Sequence, residues 1–575
     1  MSLKESNIDS ASQDHSPLDP EKQTSDAPAT KQAVDDESEY LTGVTLGLVV
    51  LGLCLAVLLV GLDNSILATA IPTITTAFNS LDDVGWYGSA FLVCVCALQP
   101  ISGKFFQYFS LKWTYLAFLA IFEIGSLVCA TAVNSVMLIV GRAIAGAGAV
   151  GLFSGALVIL AHSVPVRQRP IYTGCVASMF SISNVVGPIL GGVFTERATW
   201  RWCFYINLPL GAITAVILLF FFSPKERTIT KHSLASKIKH LDLPGLAMFI
   251  PAVVMVLLAV QWGGNTHAWN SATVIGLFVG FGVMICLFVA WQWHQQEEAS
   301  IPPRIMMQRS VYSAAVVVFM GLGSVTIIAY YLPIWFQVIK DDTPLQSGIR
   351  FLFSVLGSLL GSIIPAGLVT AYGHFNPWLY FGSILVAVAG GIFTTFDLQT
   401  ADGMINGIQV LGGFGSSSVI QMVASIPFSS PYILVRTTTK RIEQPLIGLM
   451  SLIPQADLPT ATSIAVFFQF FGGAIFLGIG NNILVSRLVS SLHKYVPDLD
   501  AQVVIRAGAA GFREVVKEKD LQDGLRAYSE ALTTVFYLCA AGAVVAFFSS
   551  LGMGWKSVVG KKVVGGGEED EKTET

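Results

Sequence analysis

Long apolar runs separated by short polar loops occupy most of the chain between residues 43 and 555. The run at 44–67, for example, contains a single charged residue, Asp63, close to its end. A helix needs about 20 such residues to cross the hydrocarbon core of a bilayer. The runs therefore predict fourteen transmembrane helices, at residues 44–67, 84–103, 113–133, 136–161, 170–194, 201–222, 243–262, 271–293, 311–339, 347–372, 377–396, 406–428, 459–485 and 531–555.

The distribution of Lys and Arg predicts how these helices are oriented. An even number of spans places both termini on one side of the membrane. If that side is the cytoplasm, the short inner loops carry fourteen Lys and Arg and the short outer loops carry four. Because short cytoplasmic loops are enriched in positive charge, we expect both ends in the cytoplasm. These ends are an acidic disordered tail at 1–42, without the features of a signal peptide, and a tail at 556–575.

Two segments depart from the regular alternation of spans and short loops. The loop at 486–530 is long and of mixed charge, and we expect it to be extracellular and to contain an amphipathic helix. The segment 423–444 breaks the twelfth apolar run with polar and basic residues, and its removal would join Met422 smoothly to Pro445. We interpret 423–444 as a retained intron in the gene sequence. The alternative is a tolerated cytoplasmic insertion, because loops absorb added length at little cost.

Composition agrees with a membrane protein and argues against several other classes. The chain is 53% hydrophobic and 12% charged, against about 25% charged in ordinary soluble domains. A net charge of −4 gives no hint of nucleic-acid binding. The eight cysteines fall within predicted spans without metal-ligand spacing, and no phosphate-binding loop or catalytic constellation is recognisable. We therefore expect that the protein is neither an enzyme nor an ATP-driven pump, and that it binds no metal ion or cofactor.

Arg142 is the costliest single residue inside the predicted membrane region. Insertion scales assign about 2.5–3.5 kcal/mol to an arginine at the centre of a transmembrane helix. Such a residue needs a partner or a watery cavity, and the intramembrane candidates are Asp63 and Glu123. Two interpretations remain open, a static ion pair and a proton-linked role. Asp63 lies near the predicted end of its helix, where water could solvate it.

The fifth predicted span contains an unusual six-residue sequence, Gly187-Pro188-Ile189-Leu190-Gly191-Gly192. Proline costs a helix interior about 3 kcal/mol and glycine about 1 kcal/mol, and Pro188 also removes one backbone amide donor. The sequence predicts either a hinge or a point of close packing against a neighbouring helix.

Polar and aromatic side chains recur within the predicted spans. Each one alone is more often a packing residue than a ligand. As a set they could line a cavity for a bulky, partly aromatic solute. The candidates are Trp86, Gln99, Asn184, Asn207, Tyr330, Tyr331, Gln337 and Gln469.

Several of these segments together resemble signatures of the major facilitator superfamily, specifically its fungal fourteen-span drug:proton antiporters of the toxin-efflux type. The resemblance extends from about residue 43 to residue 555. It rests on Leu62–Pro72, on Arg142 with Gly146 and Gly148, on Gly187-Pro188-x-x-Gly191-Gly192, on Trp200–Pro209, on Tyr331–Gln337 and on Pro344–Gly348.

The resemblance implies an all-α major facilitator fold. A six-helix bundle would occupy 43–222, a linker with two extra transmembrane helices 223–300, and a second six-helix bundle 301–555. It also implies a monomer in the lipid bilayer of the plasma membrane, or alternatively of the vacuole. This protein would export a small amphipathic organic compound in exchange for protons, with Arg142 implicated in the coupling. Uptake or vacuolar storage of a nutrient, amino acid or iron chelate is the alternative within transporters, and a transporter-like receptor is the alternative outside them.

The loop between the second and third spans departs from the superfamily pattern Gly-x-x-x-Asp-x-x-Gly-Arg-Arg. Gln107 stands at the acidic position and Leu111 at one of the basic positions. Gly103 and Lys112 match the pattern, and Lys104 adds a positive charge beside the glycine. The charge relay that stabilises one conformer of such transporters is therefore in question here.

Overall fold

The computed structural model describes residues 41–78, 84–165, 168–223, 241–264, 267–372, 374–425 and 457–553. The expected tail at 556–575, all but two residues of the tail at 1–42, and most of the 423–444 segment lie outside these ranges. Residues 423–425 are the last three of a helix.

Fourteen long helices account for most of the described residues, and we label them α1 to α14 in chain order. Their bounds are α1 Gly43–Phe78, α2 Val84–Tyr108, α3 Leu111–Ala130, α4 Ser135–Ser163, α5 Arg169–Arg197, α6 Asn207–Phe221, α7 Leu243–Trp262, α8 Ala272–Gln295, α9 Arg309–Ile339, α10 Pro344–Tyr372, α11 Asn376–Phe393, α12 Asp402–Ser425, α13 Leu458–Tyr495 and α14 Leu521–Ser550. Shorter helices are Trp202–Tyr205, which continues into α6, Pro303–Met306 and Ala501–Val515.

Each of the fourteen predicted spans corresponds to one of these helices. Thirteen are long and apolar enough to cross a membrane. The helix α12 is 24 residues long but is not among these thirteen, and several of its polar residues line a cavity. The all-α fold class is therefore confirmed, and the helices are consistent with fourteen spans.

Some helices run well past their predicted ends. The helix α13 contains 38 residues, roughly 57 Å at 1.5 Å per residue, so it exceeds a hydrocarbon core of about 30 Å. The helix Ala501–Val515 lies in the loop where the sequence predicts one.

The helix α1 continues for fifteen residues beyond Asp63, to Phe78. The expectation that Asp63 lies near a helix end is therefore wrong, and the residue is fully buried.

The long helices pack into two bundles with a helix pair beside them. The helices α1–α6 contact one another mainly through the pairs α1–α5, α3–α4, α2–α4 and α1–α6. In the second bundle the main pairs are α10–α12, α9–α13, α9–α14, α11–α12 and α11–α14. The two bundles meet where α5 packs against α10 and where α2 packs against α13. The helices α7 and α8 pack on each other, and α7 also contacts α2 and α13.

Small residues allow the closest helix contacts. A Cβ atom at Gly148 of α4 would overlap Phe122 of α3, and one at Gly361 of α10 would overlap the backbone of Phe414 in α12. Only glycine permits helix axes to come this near. The same feature explains why α4 is the most completely buried of the spanning helices.

Candidate functional site

A buried ion pair joins Arg142 of α4 to Asp63 of α1, and both side chains are 0% exposed. Arg142 Nε donates a hydrogen bond of 2.9 Å to the carbonyl oxygen of Tyr87. The guanidinium carbon also lies 4.6 Å from the centroid of the Phe91 ring. Of the two candidate partners, Asp63 is therefore the one that neutralises Arg142.

Asn207, at the start of α6, extends this pair into a polar cluster. Its Nδ2 donates to Asp63 Oδ1 at 3.2 Å and to Ser126 Oγ of α3 at 3.0 Å. We call Asp63, Ser126, Arg142 and Asn207 the charge cluster. It connects α1, α3, α4 and α6 within the first bundle. Asn207, a candidate for the substrate cavity from sequence, thus lies in the charge cluster.

Glu123 lies beside the charge cluster without joining the ion pair. Both carboxylate oxygens are buried and have no hydrogen-bond partner among the described residues. The side chain faces α6, where a Cβ atom at Gly211 would overlap Glu123 Oε1. Ser126 follows one turn later on α3, and residues three apart share a helix face. Because an unpaired carboxylate is costly to bury, binding a proton lowers the cost of keeping Glu123 in this position.

The glycine–proline sequence of α5 packs closely against α1. A Cβ atom at Gly187 would overlap Ser65 Oγ and would lie 2.9 Å from the backbone nitrogen of Ile66. Next to this contact, Ser65 Oγ donates to the carbonyl oxygen of Ser183 at 2.8 Å. Gly191 is buried, whereas a Cβ atom at Gly192 would have no neighbour within 4 Å among the described residues. Pro188 lies inside a continuous helix, and a hinge at this position stays a prediction.

A cavity between the two bundles contains about 920 Å³ of space free of protein atoms, its open mouth included. Side chains of α4, α5, α9, α10, α12 and α13 line it, so both bundles contribute. Asn184 of α5 and Gln469 of α13 are the two predicted cavity residues that the structure places here.

The other predicted cavity residues lie elsewhere. Trp86 packs edge-on against Trp262 of α7, with ring centroids 6.2 Å apart. Gln99 is buried between α2 and α4, where its Nε2 donates to Ser102 Oγ at 3.2 Å. On α9, Tyr330 is 52% exposed, the Tyr331 hydroxyl donates to the carbonyl oxygen of Leu477 at 3.3 Å, and Gln337 Nε2 donates to Ser347 Oγ at 3.1 Å.

Sequence reasoning missed the six serines and four phenylalanines among the 22 described residues that line the cavity. Ser354, Ser358 and Ser362 are spaced four residues apart and therefore occupy one face of α10. Ser416 and Ser417 of α12 stand beside them. This serine spacing within an apolar helix is the signal that could have identified the wall.

The predicted loop motif Gly103–Lys112 lies mostly within α2, which ends at Tyr108, and Lys112 already belongs to α3. This end of α2 joins the bundles, although its sequence departs from the superfamily pattern. A Cβ atom at Gly103 would overlap Ser463 of α13, and Gln107 Oε1 accepts a hydrogen bond of 3.3 Å from Thr460 Oγ1. Lys104 is buried, and its Nζ donates to the carbonyl oxygen of Glu298 at 3.3 Å. Lys112 instead stays within the first bundle, where it donates to the carbonyl oxygen of Leu219 at 2.7 Å.

Further contacts at the same ends of the helices join α12 to α5 and the segment after α8 to the start of α13. Gln421 Nε2 of α12 donates to the carbonyl oxygen of Pro170 at 2.8 Å and to Thr173 Oγ1 at 2.7 Å, both in α5. Arg304, in the segment after α8, contacts Glu297 at 2.8 Å and Asp457, which precedes α13, at 2.6 Å. The charge count assigns these helix ends to the cytoplasm.

Comparisons with known proteins agree with this architecture. Residues 53–477 match the family profile described as Major Facilitator Superfamily. The MFS-type transporter astH of Aspergillus oryzae is 41% identical over 551 residues, which is 95% of this chain and 94% of astH. The efflux pump aflT of Aspergillus parasiticus is 39% identical over 525 residues, 91% of this chain and 98% of aflT. The efflux pump roqT of Penicillium rubens is 40% identical over 508 residues, 88% of this chain and 90% of roqT.

Solved structures share the fold at low sequence identity. The proton:xylose symporter XylE aligns with a TM-score of 0.54 at 14% identity, covering 90% of this chain and 98% of XylE. The human organic anion transporter MFSD10 aligns with a TM-score of 0.52 at 14% identity, covering 86% and 99% of the two chains. At this identity the likeness concerns the fold alone.

Proposed function

Because the chain belongs to the major facilitator superfamily, we propose that it is an efflux transporter that exports a small amphipathic organic compound in exchange for protons. The central cavity carries this proposal, since residues from both bundles line it and substrate sites of such transporters lie between their two halves. The relatives named as efflux pumps align over nearly the whole chain and support the outward direction. We assign the protein to the plasma membrane, where export would clear the compound from the cell, and we expect a monomer.

Transport would proceed by rocking the two bundles about the cavity. The helices α7 and α8 would be the pair that connects the two bundles along the chain. In the structure the bundles are bonded at the ends assigned to the cytoplasm, through Gln421 with Thr173 and through Thr460 with Gln107. These contacts must separate before cargo can enter from the cytoplasm. Closing them again would commit the cargo to release outside.

The charge cluster would hold the first bundle in register while Glu123 exchanges the proton. Asp63 is already paired with Arg142 and accepts a hydrogen bond from Asn207, so its charge is compensated. Glu123 has no such partner among the described residues. A carboxyl group that is costly to bury as an anion is suited to bind a proton in one state and to release it in another.

The charge cluster beside Glu123 contains two ionisable groups, Asp63 of α1 and Arg142 of α4. The helix α6, which Glu123 faces, contains no ionisable side chain. Burial without a hydrogen-bond partner is the main penalty on the charged form of Glu123, and the carboxylate of Asp63 on the neighbouring helix adds a smaller repulsion. A movement that separates Arg142 from Asp63 would raise this repulsion and favour protonated Glu123.

Whole-cell accumulation tests the direction of transport. Cells that lack the gene and cells that express it are loaded with a coloured hydroxyanthraquinone, and the retained dye is measured over time. Export predicts less retained dye in the expressing cells and the same retention in both strains after a protonophore collapses the pH gradient. Greater retention in the expressing cells would favour uptake, and a difference that survives the protonophore would contradict proton exchange.

A further inference from the structure

The wall of the central cavity is uncharged. Of the described residues that line it, none is Asp, Glu, Lys, Arg or His. The fully buried ion pair of Arg142 and Asp63 belongs to the charge cluster inside the first bundle and does not line the cavity. A charged solute in this space would lose its hydration without gaining a counter-ion, which is strongly unfavourable.

One side of the cavity is aromatic. Phe153 of α4, Phe180 of α5 and Phe470 of α13 contact one another, with ring centroids 5.5, 6.0 and 6.2 Å apart. Each pair is edge-on or tilted, so the three rings form a rigid apolar surface. Aromatic rings of a solute bind well to such surfaces, by edge-to-face or offset contacts.

Hydroxyl groups from α10 and α12 provide most of the remaining polarity of the cavity. Three of them direct their protons to backbone carbonyl groups: Ser362 Oγ donates to Leu359 at 3.0 Å, Ser416 Oγ to Gly412 at 2.8 Å, and Ser358 Oγ to Gly413 at 3.4 Å. Ser354 Oγ donates instead to the side-chain oxygen Oε1 of Gln409 at 3.1 Å. A hydroxyl that has donated its proton still offers lone pairs as an acceptor. This surface is therefore suited to receive hydrogen bonds from the hydroxyl or amine groups of a solute.

Asn184 and Gln469 add amide groups to the lining, from α5 and from α13. Each amide can both donate and accept hydrogen bonds. They can therefore fix a neutral polar group without any need for charge.

We propose that the cargo is an uncharged, multi-ring aromatic compound that carries hydroxyl groups. The rings would pack on the phenylalanine surface and the hydroxyl groups would donate to the serines of α10 and α12. This inference rests on the proposed export function and narrows its cargo.

One scaffold in three charge states tests the inference. Inside-out vesicles that contain the full chain receive a hydroxyanthraquinone, its sulfonate or its quaternary ammonium derivative, under an imposed pH gradient. We expect the uncharged compound to accumulate at least tenfold more than either charged form, relative to vesicles without the protein. Comparable or greater transport of a charged form would overturn the inference and leave the export function standing. Transport of none of the three would overturn both.

Isosteric substitutions then test whether the uncharged wall sets this preference. Asn184→Asp and Gln469→Glu each add a carboxylate at nearly constant volume, and Asn184→Leu is the uncharged control. We expect either acidic variant to raise transport of the ammonium derivative at least tenfold relative to the uncharged compound, and the leucine variant not to do so. Acidic variants that keep the wild-type order of preference would count against the proposed binding surface.

Discussion

Arg142 of α4 and Asp63 of α1 form an ion pair with both side chains wholly buried in the first bundle. The pair links two helices that are distant in sequence, and Asn207 ties it to α6 and α3. Removing one member of such a pair leaves the other charge buried without a partner, which destabilises the protein, whereas removing both members leaves no unpaired charge.

Asp63→Asn should lower the free energy of unfolding by about 3–5 kcal/mol, because it leaves Arg142 buried without a counter-ion. The measurement is chemical unfolding in detergent, followed by tryptophan fluorescence. The double variant Asp63→Asn with Arg142→Gln should be more stable than Asp63→Asn alone. Direct pairing would be contradicted if the stability loss of the double variant equalled the sum of the losses of the Asp63→Asn and Arg142→Gln single variants.

Gly187→Ala should destabilise the protein by about 1–3 kcal/mol, because its new Cβ atom would overlap Ser65 of α1. Gly192→Ala is the matched control on the same helix, and it should be neutral or stabilising, since its Cβ atom meets nothing within 4 Å among the described residues. Thermal melting in detergent compares the two. Equal melting temperatures would show that Gly187 is not needed for close packing.

Pro188→Ala should separate stability from transport. Restoring the missing backbone donor should stabilise α5, while the stiffer helix should slow the initial rate of export, because the predicted hinge lies at this position. Melting temperature and initial rate are measured on the same preparation. A more stable variant with an unchanged rate would assign the glycine–proline sequence to packing alone.

Gly103→Ala should impair the closing of the two bundles at the cytoplasmic ends, because α2 and α13 touch at this position. Gly88→Ala on the same helix is the control, since its Cβ atom would have no neighbour within 4 Å among the described residues. We expect a several-fold loss of export in the first variant and near wild-type export in the second, in inside-out vesicles. Similar export by both variants would mean that close contact of α2 with α13 at Gly103 is not needed for export.

The sequence predicts the helices well because membrane insertion demands long apolar runs, and this demand is local. It places Asp63 wrongly because the predicted span ends at residue 67, whereas α1 continues to Phe78. The sequence limits the partner of Arg142 to Asp63 or Glu123 but does not decide between them, because the answer depends on how α1, α3 and α4 pack. The serine wall of the cavity was missed because serines on α10 and α12 become one surface only after the helices converge.

Cargo-driven proton movement tests directly whether Glu123 carries the proton that is exchanged for cargo. Proteoliposomes that contain the full chain and an internal pH dye receive a hydroxyanthraquinone under no imposed gradient, and the pH change is recorded with dye uptake. We expect that wild-type protein moves protons in the direction opposite to the cargo, that Glu123→Asp retains part of this movement, and that Glu123→Gln still exchanges cargo without moving protons, because Glu123 carries the proton. Cargo-driven proton movement of wild-type size in Glu123→Gln would contradict it.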